Sequence, residues 1–469
     1  MIIPGIIASS INLGGGYWAA YLADSNAAGS QNDYGSGIAT DSTGNVYVTG
    51  YFYNASSGYN VFITKYNTSG TIQWQRSLAD SLAAGSQYDF GNAIATDSSG
   101  NVYVTGRFYN ASLGTNAFIT KYNTSGTIQW QRSLKDSRAA ASQNDYSQGI
   151  ATDSSGNVYV TGFFSTSSNG QNVFITKYNT SGTIQWQRSL ADSLAASSQS
   201  DWGNAIATDS SGNVYVTGYF SNSSGSANVF ITKYNTSGTI QWQRSLADSN
   251  AAASQSDVGY GIATDSSGNV YVTGSFYNAS NGQNVFITKY DTSGTIQWQR
   301  SLKDSLSAGS QNDNSYGIAT DSTGNVYVTG DFKNSSSGFN AFITKYNTSG
   351  TIQWQRSLAD SFAAGSQSDY GYGIATDSTG NVYVSGRFKN SSGSANVFIT
   401  KLPNDGTKTG TWTIDATHIL TYATSSLTDA AGSLTAATSS LTAATSSLTD
   451  AASSLTDAAG SLTGAKVTL

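Results

Sequence analysis

Residues 38–50 read IATDSTGNVYVTG, and the stretch returns six more times with no change beyond Ser for Thr. Its aspartates fall at Asp41, Asp97, Asp153, Asp209, Asp265, Asp321 and Asp377, a constant step of 56 residues. A fixed period of that length marks a repeat architecture. Around the quoted stretch, GIAT ends a first strand and Asp41-Ser42-Thr43-Gly44-Asn45 is a turn whose Asp and Gly suit it. NVYVTGYF forms a second strand, VFITKY a third, and TIQWQRSL a fourth beyond the Asn67-Thr68-Ser69-Gly70 turn. Val46 and Val48 alternate with Tyr47 and Thr49, so both faces of each strand carry bulk, as a sheet packed between two other sheets requires. Four short antiparallel strands per unit, repeated radially, make a propeller blade. The expected fold is therefore all-β, a seven-bladed β-propeller. A linear solenoid would need atypical polar end repeats, and here the end copies match the middle ones.

The D-x-x-G-N-x-Y-V-T-G pattern, followed by F-x-x-K-Y as in Phe62–Tyr66, resembles the SBBP-type β-propeller repeat over roughly residues 17 to 402. That resemblance implies architecture and an extracellular or surface setting, and no single activity.

Composition narrows the function classes. The chain has no Glu, few cations, a net charge of −6, and 12% aromatic residues, which suits strands with a real core and gives no footprint for nucleic acid or anionic lipid. No stretch is long and apolar enough for membrane insertion. Without Cys there is neither a disulfide framework nor a thiolate metal site. MIIPGIIASSINLGGG lacks a basic start and is broken by Pro4, so it does not read as a signal peptide.

Strand arithmetic leaves one fourth strand too many. Tryptophans recur at Trp74, Trp130, Trp186, Trp242, Trp298 and Trp354, Trp18 precedes them by one period, and Trp412 follows two residues out of step. The expected division is residues 1–16 as an N-terminal attachment segment, 17–413 as the propeller with residues 17 to 23 closing the last blade, and 414–469 as a tail. The alternative is donation of the surplus strand to another subunit.

In the tail, Leu427, Leu434, Leu441, Leu448, Leu455 and Leu462 stand seven apart with an Ala three residues after each. An odd period cannot hold Leu on one face of a flat strand, whereas 3-plus-4 spacing is a coiled-coil seam. The tail reads as a helical homo-oligomerisation segment, such as a trimer, with a β-solenoid or a disordered Ser/Thr-rich stalk as alternatives, because Ser, Thr and Gly are poor helix formers. A propeller followed by SLTDAA-type heptads resembles structural and tail-fibre proteins of marine tailed phages. This implies a virion or extracellular surface setting and partners among other virion or appendage proteins.

Catalysis has little to work with. The one His, His418, lies in the connector beyond the blades. The acids Asp33, Asp89, Asp145, Asp201, Asp257, Asp313 and Asp369 repeat in every blade, which suits capping better than one active site. No cofactor is expected, and calcium is the cation those acids would suit, although the turns lack the acid density of a dedicated loop. Lys65-type and Arg76-type residues are expected to form ion pairs or to cover the Trp ring. Against near-identical strands, the connections vary. Tyr34, Phe90, Tyr146, Trp202 and Tyr370 follow the repeated Asp, and Tyr260, Tyr316 and Tyr372 stand two residues further on in only three blades. These eight are the candidate ligand-binding residues of one face, for a host-surface glycan or protein. Non-enzymatic adhesion or receptor binding is the reading, and a purely structural fibre, filament or capsid-decoration subunit is the alternative.

Overall fold

The computed structural model describes residues 6–14, 16–24, 32–54, 58–78, 87–110, 114–136, 143–165, 170–192, 200–221, 226–248, 256–278, 282–304, 311–333, 338–360, 368–389, 394–415, 418–424, 427–431, 434–437, 441–444 and 448–451. These residues form seven sheets, antiparallel but for two-residue parallel pairings such as Gly58–Tyr59 with Gln87–Tyr88, and, among the described residues, no helix. Blade 1 comprises Tyr34–Thr40, Val46–Asn54, Gly58–Tyr66 and Ile72–Leu78, from the innermost strand outwards. Blades 2 to 6 repeat this order.

The core lies between blades. Tyr47, Val61, Ile63, Trp74 and Leu78 of blade 1 pack on Ile94, Val102, Val104, Phe108, Phe118 and Tyr122 of blade 2. Val46 and Val48, pointing the other way from Tyr47, pack on Tyr383, Val397 and Ile399 of blade 7. Strand alternation thus gives each blade two apolar faces, one for each neighbour.

Three hydrogen-bond devices repeat with the blades. Around the channel, each Thr40-type hydroxyl donates to the matching carbonyl of the preceding blade at 2.7–2.9 Å, and Thr40 to Thr376 completes a closed ring of seven. In the turn, Asp41 Oδ1 accepts from the Thr43 and Asn45 amides, while Oδ2 accepts from the Asn45 side chain and the Tyr47 hydroxyl. Between blades, Trp74 Nε1 and Lys65 Nζ donate to the Thr124 carbonyl, and Arg76 Nε donates to that of Gly126. Arg76 also lies 5.2 Å from the Trp74 ring centre, and Lys65 the same distance from that of Tyr47. These cations therefore fasten the next blade's Asn-Thr-Ser-Gly turn, a role that ion pairing did not anticipate. Gly126 is required there, because a Cβ would come within 2.8 Å of the Trp74 ring and its φ is +74°.

Blade 7 takes Tyr370–Thr376, Val382–Lys389 and Ala395–Leu402 from the end of the repeats, and its outer strand is Tyr17–Asp24. Trp18 pairs with Lys401 and Leu22 with Val397. Trp18 Nε1 and Lys401 Nζ both donate to the Thr68 carbonyl, so the closing interface repeats the Trp and Lys bonds of the other six, with Ala20 where those have the arginine. Ile6–Gly14 then folds back along Tyr17–Asp24 as a fifth strand, with Ile6 opposite Asp24.

The tail differs from the helical expectation. Its described residues are strands, each laid antiparallel on the outer edge of a blade. His418–Thr424 pairs with blade 6, Leu427–Ala431 with blade 5, Leu434–Ala437 with blade 4, Leu441–Ala444 with blade 3 and Leu448–Ala451 with blade 2. Gly410–Asp415 lines the far side of His418–Thr424, so the boundary set at 413/414 falls inside a strand. Leu427, Leu434, Leu441 and Leu448 are therefore backbone partners of Asp304, Asp248, Asp192 and Asp136, not a helical seam, while Leu455 and Leu462 lie outside the described residues. Physically, a Ser/Thr-rich segment is a poor isolated helix, and the fourth strands of blades 2 to 6 each offer it an outer edge to pair with.

Candidate functional site

The seven innermost strands open on one face into a cavity of about 790 Å³ around the channel axis. What lines it departs from sevenfold symmetry. The position after the second strand's Thr-Gly (Ser-Gly in blade 7) is Tyr51, Arg107, Phe163, Tyr219, Ser275, Asp331 and Arg387 in successive blades, and of these Tyr51, Arg107 and Tyr219 line the cavity. It stands opposite the first residue of the innermost strand, as in Tyr51 opposite Tyr34 and Arg107 opposite Phe90. Its inward placement rests on a bulge between Gly35 and Gly37 and on Gly50, where a Cβ would lie 1.8 Å from the Tyr34 carbonyl oxygen.

These two rings stack into a collar. Arg387 lies 4.3 Å from the Tyr370 ring centre and 4.6 Å from that of Tyr34, and it donates to the Tyr34 hydroxyl. Tyr51 stacks on Tyr34 at 4.7 Å and meets Phe90 edge-on at 4.4 Å. Arg107 sits between Phe90 and Tyr146, at 4.3 and 4.4 Å. Phe163 continues from Tyr146 to Trp202, stacked at 4.1 Å, and Trp202 reaches Tyr219 at 5.5 Å. The sequence of rings and guanidinium planes is thus continuous over blades 7, 1, 2, 3 and 4.

In blades 5 and 6 the collar gives way to Ser275 and Asp331, and tyrosines two residues further along take over. Tyr260 and Tyr316 meet at 5.4 Å, Tyr316 and Tyr372 at 5.2 Å, and Tyr372 stacks on Tyr370 at 5.9 Å. The positions matching these tyrosines in blades 1 to 4 are Ser36, Asn92, Gln148 and Asn204, which also line the cavity. One arc of the mouth is therefore amide and hydroxyl, the other phenol.

Of the eight residues singled out in the sequence, Tyr34, Phe90, Trp202, Tyr260, Tyr316 and Tyr372 line this cavity. Tyr146 and Tyr370 brace the two arginines. All eight lie on the innermost strands and not in loops. The Asp33-type ring is structural. Asp89 is buried, its amide donating to the Tyr59 carbonyl of blade 1 while Oδ1 accepts from the Tyr109 amide of its own blade. His418 lies on the outer edge of blade 6, far along the sheet order from the innermost strand. Among the described residues, no three His, Cys, Asp or Glu side chains gather as a metal site would require.

The residues that the sequence reading missed are Arg107, Asp331 and Arg387. Asp331 is fully buried; burial pushes its pKa up to about 8 against the lowering influence of the Tyr316 hydroxyl. Burial works against the charge on both arginines. It lowers the pKa of Arg107, whereas Tyr372, Tyr34 and Tyr370 more than offset it at Arg387. The signal was available, because this is the one position inside V-Y-V-T-G-x-F that differs almost from blade to blade.

A second aromatic group leads outward from the mouth. Phe90 stacks on Tyr59 at 5.6 Å, Tyr59 meets Tyr53 at 5.3 Å and Tyr88 at 5.9 Å, and Tyr88 is 52% exposed. An aromatic path thus joins the cavity to the surface along the seam of blades 1 and 2.

The fold and the repeated motif define a β-propeller repeat protein. The SBBP beta-propeller repeat family matches residues 18–51, 81–107, 139–170, 194–223, 247–275, 306–331 and 362–387, one segment per blade, so the chain carries seven such repeats. Among curated proteins it is similar to an uncharacterized WD repeat-containing protein, L264, of Acanthamoeba polyphaga mimivirus, 22% identical over 79% of this chain and 31% of that protein. The chain therefore spans about a third of that relative's length. Among solved structures it is similar to a protein of unknown function from Dyadobacter fermentans, with 10% identity, a TM-score of 0.41, and coverage of 85% of this chain and 99% of that one. A Trypanosoma rangeli sialidase matches with 9% identity and a TM-score of 0.35, over 71% of this chain and 56% of that one. At these TM-scores neither likeness bears on activity.

Proposed function

We propose that this protein is a non-enzymatic recognition module of a virion or cell surface, whose ligand is a glycan received at the channel mouth. The observation that carries the reading is where the repeats stop being alike. The first two turn-linked strands, their Asp turn and the Thr, Trp and Lys inter-blade bonds recur in all seven blades, while the ring at residues 51, 107, 163, 219, 275, 331 and 387 is not copied. A purely mechanical ring has no need of such a break. Ring faces for sugar stacking, with Asn92, Gln148 and Asn204 across the mouth, form the mixed apolar and polar lining that oriented binding uses. The matched relative encoded by a virus supports the surface setting. The alternative, a structural subunit of a fibre, filament or capsid decoration, draws support from the uniformity of the opposite face, where the Trp contact repeats in every blade.

A glycan array tests the proposal. The chain should bind a restricted set of glycans, with affinity falling at least about tenfold in Tyr88→Ala and in Trp202→Ala, since stacking positions of this kind dominate binding. Tyr88 is the cleaner variant because its ring is half exposed. Absence of any bound glycan, in a chain that still assembles into particles or filaments, would favour the structural alternative.

A further inference from the structure

The tail pairings obey one arithmetic. Leu420 stands opposite Asp360, Leu427 opposite Asp304, Leu434 opposite Asp248, Leu441 opposite Asp192 and Leu448 opposite Asp136. Each step of 7 residues in the tail retreats by one 56-residue blade, without a slip in register. The heptad is thus the blade-to-blade step of a strand belt wound backwards around the ring.

After blade 2 the next outer edge is that of blade 1, Ile72–Leu78, which has no outer partner among the described residues. The next heptad, Leu455-Thr456-Asp457-Ala458, repeats Leu448-Thr449-Asp450-Ala451, and three residues precede each of the two. We propose that Leu455–Ala458 closes the outer edge of blade 1, with Ala458 opposite Ser77. One step further the same rule would set Leu462 opposite Asp24, but that residue already has Ile6 as its partner. The belt therefore ends at blade 1, and the two chain termini between them cover all seven fourth-strand edges. The occupant is this chain's own tail and not a second copy's, because the pairing of Leu448–Ala451 on blade 2 holds the following heptad one step from its edge at a high effective concentration. Sealed edges exclude strand addition between copies, the usual hazard of an open sheet.

The chain has no Cys, so engineered pairs report cleanly. In the full-length protein, Ser77→Cys with Ala458→Cys should oxidise to an intrachain disulfide, at a yield within about twofold of Ser133→Cys with Ala451→Cys. The latter two residues are opposite each other on blade 2, and cross-strand partners lie within disulfide reach. Peptide mapping of a mixture of isotopically heavy and light chains separates bonds within a chain from bonds between chains. A heavy–light bond would overturn the proposal in favour of a neighbouring copy's tail, and failure of the 77/458 pair beside a working 133/451 pair would show an open edge. As a second readout, deleting residues 452–469 should speed amide exchange in Ile72–Leu78 while sparing the outer strands of blades 3 to 6. Unchanged exchange in Ile72–Leu78 would overturn it as well.

Discussion

Asp331 occupies the position that an aromatic ring or an arginine fills in five of the other blades, and its burial makes the site sensitive to pH. With a folded pKa of about 8, above that of an unfolded aspartate, the folded state holds the proton more tightly than the unfolded chain. Its contribution to stability is therefore complete below about pH 4 and is lost as pH rises to about 8. Asp331→Asn should accordingly raise the melting temperature by several degrees at pH 9 and change it little at pH 4, read by thermal denaturation at the two pH values. The glycine before this ring is equally constrained. A Cβ on Gly106 would lie 1.9 Å from the Phe90 carbonyl oxygen, so Gly106→Ala should cost about 3 kcal/mol in urea unfolding, whereas no measurable loss would mean the bulge can relax. At this scale the scaffold was legible and half the site was not. Tyr34 and Trp202 stood out as large residues beside a repeated Asp. Arg107, Asp331 and Arg387 sit within a strand pattern whose alternation assigns them to a packed face; Arg107 nonetheless lines the cavity, Arg387 packs on Tyr34 and Tyr370 of the collar, and Asp331 is buried.

Two elements from the ends of the chain decide whether the ring is closed. Tyr17–Asp24 supplies the outer strand of blade 7 and buries Trp18, Ala19, Ala20 and Leu22 between blades 6, 7 and 1. Deleting residues 1–24 should lower the melting temperature by about ten degrees or more and expose blade 7 to limited proteolysis. An unchanged melting temperature would mean that another strand closes the ring. The surplus-strand count was readable because Trp18 stands one period before Trp74. The tail was misread for a specific reason. Spacing of Leu427, Leu434 and Leu441 by seven, with Ala between, is the arithmetic of a helical seam when a segment is considered alone. Here the period answers to the propeller, with four or five residues paired on one blade and the remainder passing to the next. No local pattern distinguishes the two, because the template for the strand lies 56-residue blades away in the chain.

At the scale of the molecule, the repeats build a ring whose faces differ in kind: one carries the same Trp and Lys contacts in every blade and the Arg contact in six, the other an asymmetric aromatic mouth. The described tail strands lie on the outer edges of blades 6 to 2. This arrangement separates the two pictures of the chain, since a helical stalk would hold the propeller away from whatever anchors it, whereas a belt keeps the tail on the ring. Small-angle X-ray scattering of the full chain beside a variant lacking residues 414–469 distinguishes them directly. The belt predicts maximum dimensions that agree within a few ångströms. A full-length particle longer by on the order of 60 Å, the span of a continuous helix through the heptads, would contradict it.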